Sequence, residues 1–388
     1  MALNEVHQEL KKRFDLEKPL VQLSDTVLCY SFPFRSDCAF EPFSVNSGLP
    51  MEETRIINEA GKGENRQFYY PVMTPVDEHP KDAILLLHGL NERSWEKYLL
   101  WAHTLVEKTR RAVILFPIAF HINRAPGWWS NPRFMQALSK RRQESDNRII
   151  QSSFANVALS LRMQYSPEMF PVSGAQSYLD VIKLCKQVKS GNHPLLRSTG
   201  SISIFAYSIG TVLAKILILS NPLKLFTNEK AFLFCGGAAL DQVNPVSRAI
   251  MDSEACLSLK KYLASNPNLA HLIGNTKRKA QLLPQAWKTF QYLISCELHK
   301  KERNEVLSQM GHRILAVGLT CDQVFPPRAI HDFFGERCIT QQVSYEGSHE
   351  KPFPFDNPTF ANEVESVFNR IFSLASEFLS SRISGQKD

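Results

Sequence analysis

A serine lies at the junction of two apolar segments near the middle of the chain. Residues Ile202–Ala206 form a run typical of a buried strand, and Ile209–Leu219 follow with the pattern of an apolar helix. Ser208 stands between them, with Ala206 two residues before it and Gly210 two residues after it. A tight strand-turn-helix bend needs small residues at those two positions, and it lifts the serine hydroxyl clear of the sheet. The pattern predicts a nucleophilic serine; the alternative is an ordinary turn in which Ser208 only caps the helix.

A serine hydroxyl becomes a strong nucleophile beside a general base, most often a histidine that a carboxylate orients. His349 is the candidate base, because it follows the last strand-like run, Thr340–Tyr345, and precedes the closing helical pattern of residues 361–382. A loop at that point returns to the carboxyl edge of the sheet. His312 precedes its strand and His331 lies within a helical pattern, so we expect neither to be the base.

The acid should come from the strand before that histidine, since the chain order on such sheets is serine, acid, histidine. Asp322 follows the apolar run Arg313–Leu319 by three residues, in a loop that Pro326 ends. We therefore predict that Asp322 orients the histidine; the alternative is a surface aspartate that caps the next helix. Asp241, which follows the strand ending at Cys235, is the reserve acid.

Attack on a carbonyl also requires backbone donors for the developing oxyanion. One of them comes with the serine turn, where the amide of Ile209 follows the nucleophile. The other should belong to a loop after an earlier strand. The buried run Ala83–Leu87 is followed by His88 and Gly89, and we select the amide of Leu90 as the second donor.

These segments together resemble the α/β-hydrolase superfamily. The resemblance rests on LLLHGLN, FAYSIG, GLTCDQVFPP and YEGSHE, in that order, and it covers roughly residues 80–380. The departures are Ala206, where the usual pattern has glycine, and a long insertion before Ser173. The resemblance implies acyl transfer through a covalent acyl-serine, with His349 moving the proton and Asp322 holding the imidazole. It implies no metal and no organic cofactor.

Strand-like and helical patterns alternate along most of the chain, which predicts an α/β fold with a mostly parallel sheet and helices on both faces. Residues 20–75 should supply leading, antiparallel strands of the same sheet. We expect a single hydrolase domain over residues 1–388. Residues 119–172 should form an insertion after an early strand, and residues 243–311 a helical cap, because both segments are too long for simple connections.

The 388 residues are 44% hydrophobic and carry a formal net charge of +7, a composition that suits a large globular core. Basic clusters are short and adjoin helical patterns, so we expect solvated faces and no nucleic-acid partner. No apolar run is long enough to cross a membrane, and no signal peptide is visible. We expect a cytoplasmic protein, although a mature secreted chain would look the same. The eight scattered cysteines show no metal spacing, and the oligomeric state is not predicted.

The leading functional hypothesis is a serine hydrolase of carboxylic esters or another acyl substrate of low molecular mass. A thioesterase, a peptidase or an acyltransferase would use the same three side chains, and a catalytically silent binding module would keep the same fold. Trp128 and Trp129 follow a Pro-Gly turn after the strand of residues 112–117. They could wall an apolar substrate pocket that suits short to medium uncharged esters, or simply be buried to hold the insertion together.

Overall fold

Nine strands form one sheet in the computed structural model, which describes residues 2–38, 48–58, 63–78, 80–196, 200–265 and 277–381. The strand order is β1-β2-β3-β5-β4-β6-β7-β8-β9. The strands are β1 (Leu20–Gln22), β2 (Val27–Arg35), β3 (Gln67–Pro75), β4 (Ala83–Leu87), β5 (Ala112–Leu115), β6 (Ile202–Tyr207), β7 (Ala231–Phe234), β8 (Ile314–Leu319) and β9 (Cys338–Gln341). Strands β1 to β3 pair antiparallel, β3 pairs antiparallel with β5, and the strands from β5 to β9 in the sheet are parallel.

Helices cover both faces of this sheet. They are α1 (Leu3–Arg13), α2 (Met51–Asn58), α3 (Glu96–Thr109), α4 (Pro132–Ser145), α5 (Val157–Tyr165), α6 (Met169–Lys189), α7 (Gly210–Ser220), α8 (Ser253–Ala264), α9 (Lys277–Ile294), α10 (Lys300–Met310), α11 (Pro327–Phe334) and α12 (Ala361–Ser380). None of the helices in the described ranges is long and apolar enough to cross a membrane.

The sheet separates two apolar cores, which explains why the central strands are apolar at nearly every position. In β4, Leu85 and Leu87 pack into the core that α6 and α7 share, whereas Ile84 and Leu86 pack into the core formed with α3 and α12. Successive side chains of a strand point to opposite faces, so burial of both faces demands a continuous apolar run. The predicted fold class, an α/β fold with a mostly parallel sheet and helices on both faces, is confirmed.

The last strand differs from its prediction. The sequence pattern placed it at Thr340–Tyr345, whereas β9 runs from Cys338 to Gln341. Its partner β8 ends at Leu319, which pairs with Gln341, so the residues that follow have no strand to pair with. The amide of Val343 instead donates a hydrogen bond to the side-chain hydroxyl of Thr320 at 3.1 Å.

Two buried charges join the segments that the sequence marked as insertions. Helices α4 and α5 lie within residues 119–172, and α8, α9 and α10 lie within residues 243–311, of which residues 266–276 fall outside the described ranges. Arg142 of α4 donates to both carboxylate oxygens of Asp252 at 2.7 and 3.0 Å, and both side chains are at most 3% exposed. Asp252 also caps α8, since it accepts the amide of Ala255 at 3.0 Å.

We predict that Arg142→Met strongly destabilises the protein, because it leaves the buried carboxylate of Asp252 without its cation. The expected loss is about 3–5 kcal/mol in the free energy of unfolding, measured by urea denaturation. Arg148→Met is the matched control, since Arg148 and Asp146 form a similar ion pair with Arg148 72% exposed. That substitution should change the free energy of unfolding far less, because solvent screens an exposed pair. Equal losses in the two variants would contradict the importance given to the buried pair.

Candidate active site

The chain bends sharply between β6 and α7, and Ser208 occupies the bend. Its backbone has φ of 56°, in the left-handed region that residues other than glycine rarely adopt. The next turn is pressed against the end of β4. A Cβ atom at Gly210 would lie 2.7 Å from the carbonyl oxygens of both Leu87 and His88, so only glycine fits there. This strained strand-turn-helix bend is the geometry of a nucleophile elbow.

A chain of hydrogen bonds runs from Ser208 through His349 to Asp322. The Oγ atom of Ser208 lies 2.6 Å from Nε2 of His349, and Nδ1 of His349 lies 2.9 Å from Oδ2 of Asp322. All three residues are at most 4% exposed. Since Nδ1 donates to the carboxylate, Nε2 is left to accept from the serine hydroxyl. The structure thus brings together the three residues that the sequence selected, in the relative order that proton transfer requires.

The carboxylate of Asp322 is fixed by its own loop. Its Oδ1 atom accepts the amides of Val324 and Phe325, each at 2.9 Å, which leaves Oδ2 for the imidazole. The thiol of Cys235 lies beside this carboxylate, and burial together with the carboxylate charge raises the pKa of Cys235 well above its usual value. The thiol is therefore neutral and does not compete for the role of nucleophile.

Two aromatic rings hold the histidine in place. The ring of Tyr207 lies nearly parallel to the imidazole of His349 at 5.3 Å, and the ring of Phe325 lies 5.5 Å from it. The hydroxyl of Tyr207 also donates a hydrogen bond to the backbone carbonyl of His349. The sequence analysis did not select either ring, although each belongs to a predicted part of the site: Tyr207 precedes the serine, and Phe325 lies in the loop that carries Asp322.

Asp241, the alternative candidate for the acid, contacts a different part of the chain. Both carboxylate oxygens of Asp241 accept the amide of Cys296 at 3.1 Å, which places this side chain against the segment between α9 and α10. It has no hydrogen bond to His349 within the described part of the chain. Asp241 therefore helps to fix that segment rather than the imidazole.

The two predicted backbone donors share one cavity with the serine. Leu90 and Ile209 line it together with Ser208. Among the described residues, neither of the two amides has a hydrogen-bond partner, so both are available to a ligand. The preceding amide, that of Gly89, is held by the hydroxyl of Tyr98 at 2.9 Å, and this arrangement fixes the loop on which Leu90 lies.

The histidine before that glycine is structural. Nδ1 of His88 donates to the carbonyl of Gly89 at 2.8 Å, and Nε2 accepts the amide of Ile118 at 2.9 Å. Both ring nitrogens are used by a neutral imidazole, and burial lowers the pKa of His88 to about 4. The residue therefore joins the loop after β4 to the loop after β5. Sequence reasoning used His88 only as part of a His-Gly marker and missed this role.

Trp128 and Trp129, for which the sequence left a pocket role and a packing role open, contact each other and the side chains around them. Trp129 is buried in the core, with the guanidinium of Arg162 5.1 Å from its ring centroid. Trp128 packs edge-on against it, and the guanidinium of Arg55 lies 4.8 Å above the Trp128 ring. Neither tryptophan lines the cavities next to Ser208. Their contacts support the packing interpretation, in which the pair holds the insertion together.

Two apolar cavities adjoin the site. The first, here called the Ser208 cavity, has a volume of about 50 Å³ and is bounded by Ser208, the loop of residues 240–251 and α8. The second, here called the α7 cavity, has a volume of about 100 Å³ and lies between α6, α7 and α9. Within the described ranges, no cluster of three or more histidine, cysteine or carboxylate side chains has the arrangement of a metal site.

We predict that acid weakens the fold through His88. Its pKa is about 4 in the folded chain and about 6.5 when unfolded, so the unfolded chain binds more protons between these values. The stabilisation is complete above about pH 6.5 and is lost as the pH falls towards 4. From pH 7.5 to pH 5, His88 should account for a loss of about 2 kcal/mol in the free energy of unfolding.

The measurement is urea denaturation across this pH range, on the wild type and on His88→Gln. The glutamine side chain does not titrate, so the variant should lack this part of the pH dependence whatever its stability at neutral pH. Identical pH slopes for the two proteins would contradict the assignment.

Comparisons with known proteins found similar solved structures and one matching family model. The search of curated proteins found no match. The chain is similar to a cold-adapted esterase from an Arctic intertidal metagenomic library, at 12% identity and a TM-score of 0.41, covering 92% of this chain and 99% of that one. It is also similar to carboxyl esterase 2 from Tuber melanosporum, at 13% identity and a TM-score of 0.42. This match covers 83% of this chain and 85% of the esterase. A third similar structure is a peroxisomal alpha-beta-hydrolase from Saccharomyces cerevisiae, at 11% identity and a TM-score of 0.42. This match covers 93% of this chain and 92% of the hydrolase.

The sheet, the strained bend at Ser208 and the chain order Ser208, Asp322, His349 are those of an α/β-hydrolase, so the resemblance drawn from the sequence is confirmed. A family model matches residues 1–380, nearly the whole chain. The chain therefore belongs to DUF6051, a family of unknown function.

Proposed function

We propose that this protein is a serine hydrolase that cleaves carboxylic esters through an acyl-serine intermediate. The observation that carries the proposal is the unbroken hydrogen-bonded chain from Ser208 through His349 to Asp322. A buried serine needs no such chain for packing. A nucleophilic serine needs all of it: a base within hydrogen-bond reach and a carboxylate that fixes the tautomer of that base.

The first half of the reaction forms the acyl-serine. Oγ of Ser208 attacks the ester carbonyl carbon while Nε2 of His349 takes the hydroxyl proton, and the carbonyl oxygen becomes an oxyanion. The amides of Leu90 and Ile209 donate to that oxyanion. The bond to the alcohol oxygen then breaks, and His349 returns the proton to this leaving oxygen, so an alcohol departs. The carboxylate of Asp322 stabilises the imidazolium between these two transfers.

The second half releases the acid. A water molecule occupies the place of the departed alcohol, and His349 takes one of its protons as its oxygen attacks the acyl carbon. The intermediate collapses with loss of Oγ of Ser208, which recovers the proton from His349. The products are the free carboxylic acid and the original serine. These steps require only side chains and backbone amides of this chain.

The cavities favour a neutral substrate. Among the described residues that line them, Lys260 at the Ser208 cavity is the one charged side chain. Helix α8 bounds the Ser208 cavity and α9 bounds the α7 cavity, so we also propose that residues 243–311 act as a cap over the serine. Thioesters and activated amides would meet the same groups, and a substrate panel separates these alternatives from esters.

Labelling with a fluorophosphonate tests the activated serine without knowledge of the substrate. We expect a covalent adduct at Ser208, located by mass spectrometry of peptides, and hydrolysis of p-nitrophenyl esters by the same preparation. Ser208→Ala should keep the fold, fail to be labelled and lose several orders of magnitude in ester turnover. An unlabelled wild type, or full turnover in a folded Ser208→Ala protein, would contradict the mechanism and favour a silent binding module.

The acid is tested by two matched substitutions. Asp322→Asn keeps the shape of the side chain but removes the charge that stabilises the imidazolium, and we expect kcat to fall by about 10⁴-fold. Asp241→Asn makes the same chemical change where the carboxylate accepts the backbone amide of Cys296, and kcat should change by less than about threefold. Circular dichroism checks the fold of both variants. A larger loss of kcat in Asp241→Asn than in Asp322→Asn would indicate that the acid follows β7 and not β8.

A further inference from the structure

The two apolar cavities meet at the proposed oxyanion donors. Leu90, Phe170 and Ile209 line both, so the cavities extend in two directions from the point where an ester carbonyl would be bound. Phe170 is the second residue of α6, is partly buried and stands 6.4 Å from the ring of Phe290 on α9. Its ring belongs to the boundary between the two spaces.

The position of the imidazole distinguishes these directions. Val324 and Phe325 line the Ser208 cavity, and Phe325 contacts the ring of His349. The Ser208 cavity is therefore on the histidine side of the nucleophile. Neither Val324 nor Phe325, nor any member of the hydrogen-bonded chain, is among the described residues that line the α7 cavity. The α7 cavity therefore lies on the side of the proposed oxyanion donors that faces away from the imidazole.

The chemistry assigns one half of an ester to each side. The alcohol oxygen must lie near Nε2 of His349, because the imidazolium returns its proton to that atom. The alcohol part of the substrate therefore belongs in the Ser208 cavity. The acyl part remains attached to Oγ of Ser208 after the alcohol leaves, and it needs a space that does not block the incoming water. The α7 cavity meets that requirement.

The α7 cavity is lined along one face of its helix. Ile209, Val212, Leu213 and Ile216 line it, and these positions share a face at helical spacing. From Ile209 to Ile216 the helix rises about 10 Å. The cavity volume of about 100 Å³ is of the same order as the roughly 150 Å³ of an engineered apolar cavity that takes up benzene. The space suits an acyl group of short to medium length.

We propose that the α7 cavity is the acyl-binding site and that it selects esters of uncharged, apolar carboxylic acids of short to medium chain length. The alcohol part is bound in the Ser208 cavity, and Phe170 separates the two halves of the substrate. This assignment rests on the proposed function, since it uses the roles given to Ser208 and His349.

The test fills each cavity in turn. Ala286 of α9 lines the α7 cavity, and Cys256 of α8 lines the Ser208 cavity. Ala286→Phe and Cys256→Phe each place a ring in one space and leave the hydrogen-bonded chain untouched. Two ester series are assayed: p-nitrophenyl esters from acetate to dodecanoate, and acetate esters of alcohols from methanol to octanol, followed by acid release.

We expect Ala286→Phe to lower kcat/KM for p-nitrophenyl octanoate relative to p-nitrophenyl acetate by about tenfold or more, with little change across the alcohol series. Cys256→Phe should lower kcat/KM for the acetates of the longer alcohols and have little effect on the acyl chain-length profile. An Ala286→Leu variant, with a smaller added side chain, should give an intermediate loss. A chain-length profile unchanged by Ala286→Phe, or changed only by Cys256→Phe, would overturn the assignment.

Fluorophosphonate labelling separates this failure from failure of the proposed function. A reagent with a methyl substituent should still form the adduct at Ser208 in both variants, since its methyl group is smaller than either half of the ester substrates. Labelled variants with unshifted profiles would overturn the acyl site alone. A wild type that is neither labelled nor active on any ester would overturn the proposed function and the acyl site with it. Thermal unfolding of each variant identifies a loss of activity that comes from misfolding.

Discussion

The site depends on how closely three backbone segments approach one another beneath Ser208. Gly210 touches the carbonyls that end β4, and a Cβ at Gly236, after β7, would lie 2.7 Å from the carbonyl oxygen of Ser208. No side chain fits at either place. Between these two contacts the backbone of Ser208 is left-handed, its hydroxyl lies 2.6 Å from Nε2 of His349, and the loop after β4 lies beside the start of α7. Strain in the bend is compensated by the packing of the strands around it.

The acid and the histidine are placed by loops, and both loops are held by bonds to backbone atoms. Asp322 accepts two amides of its own turn, and His349 is bonded to Tyr207 through its carbonyl. The hydroxyl of Tyr98 accepts the amide of Gly89 and donates to Glu92 at 2.7 Å. Each catalytic candidate is therefore oriented before any ligand arrives, and such preorganisation is what makes buried dipoles effective at a developing charge.

Much of this could be predicted from the sequence, because its signals are local. A continuous apolar run marks β4, two small residues mark the bend at Ser208, and chain order selects Asp322 and His349. The rest depends on contacts between distant segments. The end of β9 is set by the length of β8, and the role of His88 is set by a loop thirty residues away, at Ile118. The sequence left the role of Trp128 and Trp129 open for the same reason, since exposure to a cavity leaves no trace in the local pattern.

Two buried basic side chains link α7 to the segment that follows α9, and among the described residues neither has a carboxylate as its hydrogen-bond acceptor. Lys215 of α7 donates to the carbonyls of Gly237 and Ala238, and Arg303 of α10 donates to those of Ser295 and Cys296. Both cations contact the ring of Phe333, at 4.0 and 4.8 Å. Carbonyl and aromatic partners compensate part of the desolvation of a buried charge. Because α10 and α7 are fixed to the same ring, the segment that leads out of α9 is held relative to the nucleophile, and the space between α7 and α9 keeps its width.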